Sequence, residues 1–149
     1  MSTISILPTA LQDYHPIAAL ETHVFHDDPF SIVGFGPLRA SPSNIARRAA
    51  NLAAPSSRPG EWSLVTKAVD ERGVVVGAAV WGLVTGRKGE VNGGKEEGKE
   101  KGEWKQEDWG ESANQRFCEE VFVRGDEHMV RSCGVGDYAS EFCLFQFLV

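Results

Sequence analysis

Cysteine is scarce in this 149-residue chain: three residues, an odd number, stand far apart at Cys118, Cys133 and Cys143. That spacing excludes a paired-cysteine zinc motif, and His128 is the one histidine near them. No secretory signal opens the chain, so the thiols are read as free and the compartment as cytoplasmic. Long apolar runs are missing too. None approaches the ~20 residues that span a bilayer, so no membrane is expected. Positive charge is in deficit, with 15 Lys and Arg against 21 Asp and Glu and a net charge of −6. A nucleic-acid partner needs a basic face, and none is expected here. Phosphate loops and nucleophile elbows are also absent. Gly34-Phe35-Gly36 and Gly134-Val135-Gly136 lack the third glycine of a dinucleotide loop, and no serine sits in a glycine-framed elbow.

What remains is a chain with 42% hydrophobic and 24% charged residues, the material of a single domain. Ile4 and Ile6 alternate with Ser5 before Pro8, which predicts a short strand. Thr9 and Gln12 have capping-box spacing, so a helix is predicted from there or from Pro16, with Ile17, Leu20 and Val24 on one face. His26-Asp27-Asp28-Pro29 ends it, because the residue before a proline avoids helical dihedrals. Ser41 and Pro42 open a second helix with an Ile45, Ala49, Leu52 stripe. Trp62 to Val69 and Val74 to Val84 flank the turn Asp70-Glu71-Arg72-Gly73 and predict an antiparallel hairpin.

Residues 86–111 change character. They hold six basic and eight acidic residues with seven glycines, too little apolar surface to offset ordering, and are read as a flexible insertion. Trp104 and Trp109 are its large aromatics, able to dock it transiently. Beyond it, Phe117 and Val121 predict a helix, and the phenylalanine-rich run Tyr138 to Val149 a strand with Cys143 as a small core residue. His23 and His26 would share a helix face beside Asp27 and Asp28. Without the histidine-pair spacing of zinc proteases, they read better as hydrogen-bonded groups favouring the helix dipole, so no metal is assigned.

The order strand, helix, loop, helix, hairpin resembles the N-terminal half of the GNAT N-acetyltransferase superfamily, in the branch common among fungal small-molecule acetyltransferases. The residues carrying the resemblance are Ile4 to Pro8, Ile17 to Glu21, Phe25-His26-Asp27-Asp28-Pro29-Phe30, Trp62 to Val69, and Val75-Val76-Gly77-Ala78-Ala79-Val80-Trp81. The resemblance implies an α/β (α+β) fold with a mixed sheet in β-α-α-β-β order. It also implies acetyl-CoA as co-substrate and a small-molecule or peptide amine as acceptor. In that family the sheet splays at the fourth strand to receive the pantetheine arm, and a glycine-containing loop at a helix N-terminus holds the pyrophosphate.

Tyr138-Ala139-Ser140-Glu141-Phe142 begins like that fourth strand, but no Gln/Arg-x-x-Gly-x-Gly/Ala loop follows before Val149. The expectation is a product truncated after its fourth strand, with no cofactor-binding residue assigned. An acetyl-transferring chain and a non-catalytic fragment acting through self-association or a protein partner both stay open. The apolar terminal strand, with Phe142, Leu144, Phe145, Phe147 and Leu148, is the expected self-association surface. Phe25, Asp28, Phe30 and Trp81 are the candidate acceptor-pocket residues. Their plainer roles are helix termination for Asp28 and core packing for the three aromatics. No catalytic base is named.

Overall fold

The computed structural model describes residues 3–55, 61–84, 104–125, 128 and 138–145, with backbone alone at 61, 84 and 138–145. Strand β1 is Ser5–Pro8. A 3₁₀ turn, Leu11–Asp13, runs directly into α1, Tyr14–Val24. The capping side chain is Asp13 rather than the expected Thr9 and Gln12: its Oδ2 accepts the Ala10 N–H at 2.7 Å. Pro16 falls in the first turn of α1, where its missing N–H would have had no intrahelical partner.

Helix α1 ends before the His26–Pro29 stretch, as the proline requires. The same stretch begins a helix that the sequence reading missed, α2, Pro29–Phe35. Asp28 caps it by accepting the Ser31 N–H at 2.7 Å, and Pro29 takes the first position. Asp28-Pro29 therefore starts one helix as well as ending another. Three helices among the described residues, not two, separate β1 from β2. The third, α3, is Pro42–Ala53, and Ser41 Oγ accepts the Asn44 N–H at 3.3 Å to cap it.

The hairpin forms as expected from β2, Glu61–Val69, and β3, Val75–Val84. Asp70 holds its turn by accepting the N–H groups of Arg72 and Val74 at 3.0 and 2.8 Å. With β4, Tyr138–Phe145, the sheet has the order β1-β2-β3-β4 and every pairing is antiparallel. The molecule is thus a mixed α/β structure.

Strand side chains alternate between faces, and this decides which residues meet the helices. Val65, Ala78 and Val80 pack against Ile17, Ala18, Ala49 and Leu52. A register irregularity at Ala68/Val69 pairs Val75 with Val69, and Val75 joins the same core. The alternate positions lie on the other face, where Trp62 pairs with Leu83 and Leu64 with Trp81. Trp62 is 66% exposed there.

Of the charged segment 86–111, residues 86–103 lie outside the described residues, as do Cys133 and residues 146–149. The remainder, 104–111, includes local structure. Gln106–Trp109 forms a turn of helix, α4, because Trp104 and Trp109 pack together with ring centroids 5.2 Å apart. Asp108 Oδ2 also accepts the Lys105 N–H at 2.8 Å. Helix α5, Gln115–Cys118, is capped by Asn114 and continues as a π-helical turn, Glu119–Arg124. No helix among the described residues is long and apolar enough to cross a membrane.

Candidate functional site

Helices α1, α2 and α3 and the segment from Trp104 onward enclose a cleft of ≈ 640 Å³. Its volume lies in the range of small-molecule sites, roughly 300–1,000 Å³. One wall is a run of aromatic rings. Trp104 packs on Trp109; Trp109 and Phe35 both stack on Phe122, at 6.0 and 5.9 Å between centroids. Phe30 meets Phe122 edge-on at 5.9 Å and Phe117 at 5.1 Å. Three separate parts of the chain supply these rings, so the wall exists only in the folded molecule.

The polar side of the cleft comes from α1 and α3. Glu21 accepts from Arg48 through both carboxylate oxygens, at 2.7 and 2.9 Å. Arg39 donates to the carbonyls of Gly36 and His26. Arg47 donates from Nη1 to the Asp108 carbonyl at 2.8 Å, which fixes α4 against α3. Burial pushes the Arg47 pKa down, and the neighbouring Arg48 charge adds to the shift. The Nε groups of Arg39 and Arg47 and the Trp109 Nε1 are buried with no hydrogen-bond partner among the described residues, and such unsatisfied donors are costly.

The segment reaches its position through two close backbone approaches. Gly36 ends α2 at φ +69°, where Ser112 Oγ donates to the Phe35 carbonyl and accepts the Leu38 N–H, both at 2.8 Å. Gly110 has φ +115°, and a Cβ there would collide with Asn44 Oδ1 on α3. Asn44 is itself buried and donates to the Leu38 carbonyl at 2.7 Å. A smaller cavity of ≈ 420 Å³, with Glu107 and Glu111 in its lining, shares Asn44 and Arg47 with the cleft.

Three of the four sequence candidates meet in the large cleft: Phe25, Asp28 and Phe30. Trp81 does not join them, because strand alternation puts it on the sheet face opposite the helices. Asp28 keeps one carboxylate oxygen, Oδ1, outside its helix cap. The residues that sequence reasoning missed are Glu21, Phe35, Arg47, Arg48 and Phe122. His23 and His26 gather no ligand set; no group of three metal-ligating side chains exists among the described residues.

Compared with protein-family models, with curated proteins and with solved structures, the chain finds no match.

Proposed function

We propose that this chain is the acceptor-binding part of an acyl-CoA-dependent N-acetyltransferase of the GNAT type, with the helix-walled cleft as its amine pocket. The observation that carries the proposal is the convergence of Phe25, Asp28 and Phe30 on one cleft. All three are residues for which the sequence resemblance implies an acceptor-pocket role. The β2–β3 hairpin after a helical stretch also supports the reading, although the described sheet is antiparallel throughout and not the mixed sheet that the resemblance implies.

In the proposed site the aromatic wall holds the apolar body of the amine and keeps water from it. Asp28 Oδ1 orients the nitrogen by accepting its hydrogen bond, while Oδ2 stays on the Ser31 N–H. Acetyl-CoA supplies the thioester carbonyl. Its amide-bearing arm suits β4, which is bonded to β3 alone among the described strands and so has backbone groups to offer along its other edge. No helix follows β4 among the described residues, and no residue is assigned to the pyrophosphate.

The test is formation of the N-acetyl product from acetyl-CoA and 2-phenylethylamine by the whole chain, followed by mass. Wild-type protein should form it, Phe30→Ala should slow it roughly tenfold, and Trp62→Ala should leave it unchanged. A folded wild-type chain that forms none contradicts the proposal.

The edge position of β4 also favours a second reading, self-association by a non-catalytic chain. Sedimentation over a concentration series separates the two. A dimer that strengthens with concentration, without acetyl transfer, supports the second; a monomer that transfers acetyl supports the first.

A further inference from the structure

The ring wall of the cleft converges on Phe122. It stacks on Phe35 and Trp109 and meets Phe30 edge-on, at 5.9, 6.0 and 5.9 Å between centroids. All four rings line the cleft. Among the described residues no ring contact joins Trp109 to Phe30 or Phe35, so Phe122 fills the space between α2 and the segment from Trp104. The base of this ring is fixed. The Asn114 N–H donates to the Gly34 carbonyl at 2.8 Å, and the Cys118 thiol donates to the same oxygen at 3.4 Å, which holds α5 against α2. The π-helical turn Glu119–Arg124 then carries Phe122, which is half-buried. Such turns are rare inside helices and recur at functional sites.

From this convergence we infer that Phe122 is the specificity-determining residue of the cleft: the acceptor's aromatic ring packs against it, and the size of this one side chain decides how large a ring system is taken. The inference rests on the reading of the cleft as an amine site and adds which residue reads the acceptor. Truncating Phe122 leaves a gap with Phe30, Phe35 and Trp109 around it and the cleft beside it. An apolar gap of that kind stays dry and accepts a benzene-sized group. A second ring fused to the acceptor's first then gains a place that the wild-type side chain occupies. Phe117 is the contrasting case. It touches Phe30 at 5.1 Å without lining the cleft, so its loss weakens packing and opens no gap onto the acceptor.

Calorimetric titration of the whole chain with 2-phenylethylamine and 2-(2-naphthyl)ethylamine tests this, read as the ratio of the two dissociation constants. Phe122→Ala should move the ratio about tenfold toward the naphthyl amine. Phe122→Leu, which keeps part of the volume, should move it less in the same direction. Phe117→Ala should keep the wild-type ratio while lowering the melting temperature. The inference is overturned if both Phe122 variants keep the wild-type ratio, if Phe117→Ala moves it as far as Phe122→Ala, or if wild-type protein binds neither amine. Circular dichroism reports whether Phe122→Ala folds, and Phe122→Leu decides if it does not.

Failure of the acetyltransferase reading looks different. The ratio would still follow the residue at position 122 while acetyl-CoA and either amine yield no N-acetyl product. Acetylation of 2-phenylethylamine with a ratio unmoved by the Phe122 variants would instead keep that reading and remove this inference.

Discussion

Lys67 Nζ lies 2.6 Å from Asp13 Oδ2, a pair that ties β2 to the turn leading into α1. Both side chains are largely buried, at 15% and 12% exposure. The hydrogen bond from Lys67 lowers the Asp13 pKa from its ordinary 3.8, and the Ala10 N–H adds to this; burial opposes them in part, and the Lys67 charge lowers it further. A carboxyl depressed in the folded state contributes stability above its unfolded pKa and loses it as pH falls through the folded value. The melting temperature should therefore drop on acidification below pH 3.8, and Asp13→Asn should melt lower than wild type at pH 6. The gap between the two should narrow as the pH falls through the depressed folded-state value, because wild-type Asp13 then takes up a proton too. Thermal melts across about pH 2.5 to 7 check the sign.

Gly110 and Asn44 meet where α4 leans on α3. Replacing Gly110 by Ala sets a Cβ into Asn44 Oδ1 and asks a non-glycine residue to hold φ +115°. Backbone strain of that kind costs about 1–3 kcal/mol. The expected outcome is displacement of 104–111 from α3, read as red-shifted Trp104 and Trp109 fluorescence and weaker binding in the cleft. Gly73→Ala, also at positive φ but with open space around it, should lower stability without moving that fluorescence.

Glu21 keeps Arg48 occupied. Glu21→Gln should cost about 0–1 kcal/mol, since Arg48 is 41% exposed and the pair is screened by solvent. A thermal melt measures the effect.

Ser41 carries the start of α3. Ser41→Ala removes the acceptor for the Asn44 N–H and should destabilise the chain by about 1 kcal/mol in denaturant unfolding. Ser41→Gly should cost a few tenths of that, because glycine leaves the N–H open to water.

The local signals proved readable where one residue type does one job. Ser41-Pro42 predicts α3, and Asp70 to Gly73 predicts the hairpin turn, because a cap and a tight turn are settled within a few residues. Asp28-Pro29 carries two signals, a stop for α1 and a start for α2, and the stop alone does not predict α2. The cleft was legible in part. Phe25, Asp28 and Phe30 are close in sequence, whereas Trp104 and Trp109, in a segment whose composition reads as solvated, and Phe122, in the turn beyond it, reach the same place only through tertiary packing. Trp81 shows the reverse failure. Its one-residue offset from Val80 assigns it to the far face of the sheet, and that offset means nothing until the core face is known.

The four tryptophans divide between the two sides of the molecule, Trp104 and Trp109 on the cleft and Trp62 and Trp81 on the sheet face away from the helices. Titration with 2-phenylethylamine, followed through the four indole N–H signals in a nitrogen-15 NMR spectrum, tests the assignment of the amine site directly. The account predicts saturable shifts of the Trp104 and Trp109 signals with Trp62 and Trp81 unmoved. Movement of the Trp62 and Trp81 signals instead, or four signals that stay in place, would contradict it.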